Sequence, residues 1–280
     1  MSEWKTILVH LDASTTSAQR LQAARQLAEQ HGARIEVLYA VLPTVLQYPW
    51  AFTGDAQAAS LLMGWESDQR ERAKALFERE RKAASGLAEA DWREASDEPV
   101  RALTQLAWGA DLLVLGQHDP DPKAYSGVTP DFAAAVLIDS GKPGLVLPYV
   151  GADTGFGRTV LIAWKPTAEA GRAVAAALPL LQRAQKVHLA VWDEATDPAA
   201  PPPEVAIEPY LRRHGIAATV HRGGRPGHDL GALLLSLASD VQADLLVMGC
   251  YGRSRAREWL LGGVTRSVLH SLTLPVLMAH

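Results

Sequence analysis

The clearest chemical signal in this 280-residue chain is a run of small and basic residues near its end. It reads Gly249-Cys-Tyr-Gly252-Arg253-Ser-Arg-Ala-Arg-Glu-Trp-Leu-Leu-Gly262-Gly263-Val264-Thr265-Arg266. Gly249 and Gly252 bracket a tight turn after an apolar, strand-like run, and Gly262-Gly263 opens a final helix. Glycine lets backbone amides approach a phosphate closely, and a helix N-terminus adds oriented donors and positive potential. Arg253, Arg255, Arg257 and Arg266 crowd the same segment. Glycines at strand ends are often only turns, and loop arginines are usually solvated. The joint spacing, the strand context and the arginine cluster together suit a phosphate chain.

The strand before this run repeats an earlier one. Ala110-Asp-Leu-Leu-Val-Leu-Gly116 returns as Ala243-Asp-Leu-Leu-Val-Met-Gly249, an offset of 133 residues. The chain is therefore an internal duplication, and each half can be read against the other. Each half opens on an apolar strand candidate, Ile7-Leu8-Val9 and Val160-Leu161-Ile162, followed by a Ser/Thr-containing turn and a helical pattern. In the first half Leu21, Ala24, Leu27 and Ala28 recur at helical spacing. In the second Val174, Ala177, Leu178 and Leu181 do, with Pro179 expected to kink that helix. Further strands are expected at Ile35–Val41 and Val187–Trp192, near Trp92–Ala95 and Ala218–Arg222, and at Gly144–Leu147 and Val276–Met278. Helices at Val100–Trp108 and Leu230–Val241 separate them. Strands alternating with helices imply crossover connections and a mostly parallel sheet covered on both faces. The fold class is thus α/β, in two tandem domains, 1–150 and 157–280. The segment around 149–158 reads as a linker.

The offset is not constant. Asp12 lies opposite Lys165, 153 residues apart, so the first half holds about 20 extra residues before its fourth strand. Their expected place is 43–70, which carries Trp50, Phe52, Leu61, Leu62, Met63 and Trp65; its counterpart is the short Pro-rich stretch Asp197–Pro203. Such an insertion covers either a cleft, a partner surface, or only its own domain.

Bulk composition narrows the classes. Hydrophobic content of 48% and charged content of 21% describe a soluble globular chain. The lone Cys250 excludes an internal disulfide framework and fits a reducing compartment. The N-terminus shows no signal-peptide pattern, and no apolar run is long enough to span a bilayer, so a cytoplasmic protein without membrane contact is expected. The net charge of -4 conceals an asymmetry: 14 Lys+Arg against 20 Asp+Glu in residues 1–150, and 13 against 11 in 151–280. That excludes a broad basic footprint for nucleic acid but leaves room for a local anion site in the second half.

The Gly-x2-Gly-x9-Gly spacing after the Asp-Leu-Leu-Val-Met strand resembles the universal stress protein family, and the whole chain is similar to a tandem member. The resemblance implies two five-stranded parallel α/β domains, Rossmann-like and akin to adenine nucleotide alpha hydrolases, with their last strands pairing edge to edge as an intramolecular pseudo-dimer, open to further homodimerisation. Many members bind ATP and some do not. In binders an Asp ending the first strand contacts the adenosine end, and the glycine segment holds ribose and phosphates. Carried onto the second half, this implies a nucleotide site of Lys165, Val191, Gly249, Gly252, Arg253, Gly262, Gly263, Val264 and Thr265.

Each half departs from that pattern. The first keeps Asp12, but Asp119 stands opposite Gly252 and Pro130-Asp131 opposite Gly262-Gly263. A carboxylate repels a triphosphate and proline removes an amide donor, so this half is expected not to bind ATP in the family manner. The second half keeps its glycines but has Lys165 at the acidic position and Gly263 where many members have Ser or Thr after the third glycine. Lys165 either adds a cation for phosphate or sits in solvent. The loop His118, Asp119, Asp121 lacks a distant fourth ligand for a metal, so no metal site is assigned. Cys250 is read as inert, with oxidant sensing as the sharper alternative. No Gly-x4-Gly-Lys-Ser/Thr loop, His-Glu-x2-His or Gly-x-Ser-x-Gly occurs in the chain, and no general base can be assigned, which leaves at most a slow ATPase.

Three functions compete. The first is a non-catalytic, nucleotide-responsive stress protein that binds ATP through its second half and offers a changed surface to a protein partner. The second is an interaction module that has lost nucleotide binding. The third binds a different small molecule beneath the insertion.

Overall fold

The short, continuously apolar runs become the strands. A computed structural model describes residues 4–53, 56–83, 90–121, 127–151, 155–192, 207–223, 229–251 and 263–280. The chain divides into two compact units, Glu3–Lys142 and Pro143–His280.

In the first unit β1 (Thr6–Leu11), β2 (Arg34–Ala40), β3 (Asp91–Ala95) and β4 (Leu112–Gly116) pair in parallel in the order β3-β2-β1-β4. Its helices are α1 (Ser17–His31), α2 (Thr44–Gln47), a 3-10 turn (Pro49–Phe52), α3 (Ala56–Ala83), α4 (Pro99–Ala107) and α5 (Phe132–Ser140). In the second unit β5 (Gly144–Leu147), β6 (Thr159–Trp164), β7 (Lys186–Trp192), β8 (Ala218–Gly223), β9 (Leu245–Gly249) and β10 (Val276–Ala279) run in the order β5-β10-β9-β6-β7-β8. All neighbours there are parallel except β5 and β10, which pair antiparallel with Val146 opposite Val276. Because β5 ends the first repeat yet pairs with β10, the packing division falls ahead of it. The second unit's helices are α6 (Ala168–Leu181, with Pro179 inside), α7 (Ile207–Arg213), α8 (Leu230–Asp240) and α9 (Val264–His270).

The central strands are buried on both faces, as parallel strands under crossover helices must be. Ile7, Val9, Leu112, Leu113 and Val114 in one unit, and Val160, Ile162, Leu245 and Val247 in the other, expose no surface. Register confirms the duplication residue by residue. Ile7 lies opposite Leu112, and Val160 opposite Leu245. Asp12 and Lys165 therefore each follow the first strand of a repeat, at equivalent positions.

The repeated Asp of the Asp-Leu-Leu-Val motif has a structural task. The Asp111 carboxylate accepts the backbone N–H groups of Lys5 at 2.7 Å and Thr6 at 2.9 Å. Asp244 accepts those of Gly157, Arg158 and Thr159 at 2.8, 3.0 and 3.1 Å. Each carboxylate satisfies the donors at the entry of a repeat's first strand, which have no ladder partner there.

The extra length of the first repeat lies between β2 and β3, residues 41–90, against 193–217 between β7 and β8. It folds as α2, the 3-10 turn and α3. Two hydrogen bonds from Thr44, backbone N–H and hydroxyl, reach Glu66 Oε2 at 3.0 and 2.6 Å and tie α2 to α3. The later part of α3 packs on its own unit through Ala73 and Phe77, with the Phe77 ring 5.3 Å from that of Trp92. Leu46 of α2, Trp50 of the 3-10 turn, and Leu61 and Met63 early in α3 are exposed. The counterpart stretch Asp197–Pro203 lies outside the described residues.

Candidate functional site

The carboxyl ends of β1 and β4 form a cleft in the first unit. Asp12 follows β1 and is almost fully buried at 1% exposure, as is Arg20 of α1 at 4%. Arg20 Nη2 lies 2.5 Å from Asp12 Oδ1. That oxygen also accepts the Ser14 backbone N–H at 3.0 Å, the Ser14 hydroxyl at 2.5 Å and the Ser17 hydroxyl at 2.8 Å. Burial pushes the Asp12 carboxyl up, but Arg20, His10, Ser14 and Ser17 together outweigh it and hold the group below the ordinary carboxylate range. His10, one turn of strand earlier, is buried with its ring 4.5 Å from that of Phe132. Burial first, then Arg20, pushes its pKa down to about 4. Gly116 ends β4, and a Cβ there would lie 2.6 Å from Arg20 Nη1. Asp119 and Pro130 line the same cleft, where the sequence puts them opposite the family glycines. Among the described residues, the water-sized space left between these side chains is about 20 Å³, room for about one water.

The equivalent cleft in the second unit is built differently. Lys165 follows β6 and is exposed. Thr167 caps α6, its hydroxyl accepting the Ala170 N–H at 3.3 Å. A Cβ on Gly249 would lie 2.5 Å from Ala170 N and 2.7 Å from the Glu169 carbonyl carbon. Gly249 thus admits the first turn of α6 against the end of β9, whereas Gly116 admits a side chain. At the position equivalent to Arg20 stands Ala173, with no exposed surface. Among the described residues no internal ion pair occupies this cleft.

The start and end of the glycine segment are stitched together. Tyr251 holds a left-handed φ of 50° and donates its N–H to Thr265 Oγ1 at 3.4 Å. Thr265 is buried on α9, and Gly263 is the residue that caps that helix. Cys250 is buried, donates its N–H to Ala279 O at 2.9 Å and accepts from His280 Nδ1 at 3.1 Å. Val191 is buried near the end of β7, in register with Trp164 and Arg222. The structure therefore brings Gly249, Gly263, Val264 and Thr265 to one strand end and its following helix, and sets Lys165 after the neighbouring strand. Gly252, Arg253 and Gly262 lie outside the described residues, as do Arg255, Arg257 and Trp259.

The family model described as the universal stress protein family matches residues 3–129 and 157–280, one span for each repeat. The chain belongs to the universal stress protein family. No curated protein matches it. Among solved structures, a universal stress protein from Archaeoglobus fulgidus is 18% identical, over 98% of this chain and 95% of that one, with a TM-score of 0.70. A functionally unknown protein from Pseudomonas aeruginosa PAO1 is 17% identical, over 98% of this chain and 92% of that one, with a TM-score of 0.60. At these identities the likeness is one of fold, and it bears out the α/β class with two tandem universal stress protein domains.

Within this universal stress protein, sequence reasoning missed two residues. Arg20 is the more consequential. Its signal was present, since it precedes Ala24, Leu27 and His31 on the inward stripe of α1, and a charge on such a stripe needs a buried partner. The other is Glu169, whose backbone and Cβ pack against Gly249. Its own backbone amide, against the opposing effect of burial, then the Thr167 hydroxyl, Arg172 and His280 hold it below the ordinary carboxylate range. The second repeat thus keeps an acidic group near its cleft although Lys165 replaces the expected Asp. Among the described residues no three His, Cys, Asp or Glu side chains are placed to hold a metal ion, and no helix is long and apolar enough to cross a membrane.

Proposed function

We propose that this member of the family is a non-catalytic cytoplasmic stress-response protein that takes ATP or a related adenine nucleotide in its second repeat alone, with 1–150 and 157–280 as its functional domains. One contrast carries this reading. In the first repeat Arg20 and Asp12 fill the cleft with an internal ion pair; in the second the equivalent positions are Ala173, which is small, and Lys165, which is exposed and cationic. A polyanion meets the Asp119 carboxylate in the first cleft and the exposed Lys165 in the second. Gly249, Gly252, Gly262 and Gly263 keep the family's spacing in the sequence, and glycine lets backbone donors approach a phosphate. Nucleotide ordering of residues 250–262 would then change the surface shown to a protein partner. Isothermal titration of the full chain with ATP tests this. One equivalent of binding, lost on Gly252→Asp and kept on Asp119→Asn, is expected. Absence of heat at submillimolar ATP in the unmodified protein sinks the reading.

A second reading rests on the exposed Leu46, Trp50, Leu61 and Met63 of the insertion. Large apolar side chains exposed on one insertion favour a contact with a partner, so the chain would act as an interaction module with no nucleotide dependence. Stoichiometric nucleotide in purified protein, seen by native mass spectrometry, argues against it.

A further inference from the structure

Four buried polar atoms without a hydrogen-bond partner belong to residues lining the first-repeat cleft: His10 Nδ1, Asp12 Oδ2, Arg20 Nε and His118 Nδ1. The character of three of them follows from their surroundings. His10 Nε2 faces the Ala40 carbonyl at 2.8 Å, so that nitrogen carries the hydrogen. In a neutral ring Nδ1 is then a bare acceptor. Asp12 Oδ2 is a second acceptor, and Arg20 Nε is a donor. All three are closed off from solvent, so the site presents two acceptors and one donor to its own side chains and not to a water. A phosphate oxygen, an acceptor only, would face a lone pair and a carboxylate.

The guanidinium itself is held as a ligand is held. Its Nη2 donates to Asp12 Oδ1 and Ser17 Oγ at 2.5 Å and to Ser14 Oγ at 3.2 Å. Its Nη1 sits over Gly116, in a space that any side chain would fill. A planar, permanently charged fork suits such a pocket in a way lysine does not.

We propose that Arg20 is a permanent internal ligand of the first-repeat cleft: its guanidinium occupies the place on Asp12 that an external molecule would take, and Gly116 is kept small to admit it. The site is thus built for a guanidinium group, and Arg20 sets that specificity from within the chain. This goes beyond the second-repeat reading and does not depend on it.

Chemical rescue tests the proposal on the full chain. Arg20→Ala removes the group and leaves Asp12 buried and unpaired, so the variant melts below the unmodified protein. Guanidinium chloride at low millimolar concentration, compared with equal sodium chloride, is expected to restore part of that loss. The unmodified protein and Asp12→Asn/Arg20→Ala should show no such gain. Absence of rescue, or an equal response in all three, overturns the proposal. If Arg20→Ala does not fold, Arg20→Met and Asp12→Asn/Arg20→Met decide it. The double variant should melt above the single one, because neutralising Asp12 removes an uncompensated buried charge; the reverse order overturns the proposal. A crystal structure should show the guanidinium seated on Asp12 and Ser17, and an Arg20 turned out of the cleft or a phosphate group in its place counts against the proposal. The melting experiments involve no nucleotide, so a failed rescue and a failed ATP titration are told apart.

Discussion

Nη1 of Arg20 lies 2.6 Å from the point that a Cβ on Gly116 would occupy. The glycine that should face a phosphate in this family instead makes room for a neighbouring arginine. Gly249, its twin in the second repeat, makes room for the backbone of α6. One residue type at one repeated position therefore does two different jobs, and the two can be separated by substitution.

Gly116→Ala forces Arg20, which Asp12 and Ser17 pin in place, to shift. Overpacking of this kind costs about 1–3 kcal/mol. Gly249→Ala meets the backbone atoms Ala170 N and Glu169 C, which cannot rotate away, so its cost should be at the upper end of that range or beyond it. Urea unfolding midpoints of the two variants check the order. A smaller loss for Gly249→Ala contradicts the packing described here.

Acid should destabilise the first unit through His10. Its pKa is about 4 when folded, against an ordinary 6.5, so the unfolded chain binds more protons between these values. Stability is therefore full above about pH 6.5 and falls as pH drops toward 4, by about 3 kcal/mol if that shift is taken whole. Asp12 acts lower, because its folded pKa lies below the ordinary 3.8 and its contribution is lost only as pH falls through that lowered value. His10→Gln should flatten the dependence between pH 4.5 and 6.5 while leaving the steeper loss below. Denaturant unfolding across that range makes the comparison, and an unchanged slope in the variant would refute the assignment.

Removing the carboxylate that closes the entry of a repeat should loosen that entry. Asp244→Ala leaves three backbone donors without their acceptor and Asp111→Ala leaves two. A hydrogen bond to a charged acceptor contributes about 1.5–3 kcal/mol net of water, and less at exposed positions such as these. The larger loss is expected for Asp244→Ala. Hydrogen exchange at the amides of 157–159 and 5–6 reports it directly, and equal protection in variant and parent would remove the argument.

If nucleotide binds the second cleft, Lys165 should act through charge alone. It is exposed, so Lys165→Ala is expected to weaken ATP binding a few-fold at low ionic strength. Salt should erase the difference, because an exposed charge is screened within about 10 Å at 0.1 M. A salt-independent loss would mean instead that the side chain moves into the site and is desolvated there.

The strands, their order of appearance and the duplication were legible in the sequence because buried parallel strands require short, continuously apolar runs. Nearly every expected strand and helix falls within a residue or two of the observed one. The damage to the first repeat was also visible, as Asp119 and Pro130 where glycines should stand. Its decisive component was less so. Arg20 lies eight residues from Asp12, and neither residue says by itself that the two meet behind Gly116. The insertion was legible as extra length, but its division into a packed half at Ala73 and Phe77 and an exposed half at Leu46 and Trp50 was not.

Periodicity and repetition are local properties of a chain, so the sequence alone determined the α/β class, the two repeats and the family. Which polar groups meet is a matter of crossing distances between α1, β1 and β4. Only the tertiary structure could decide that Asp12 is already occupied from within, because an ion pair's worth depends on burial and on partners brought in from elements distant in sequence.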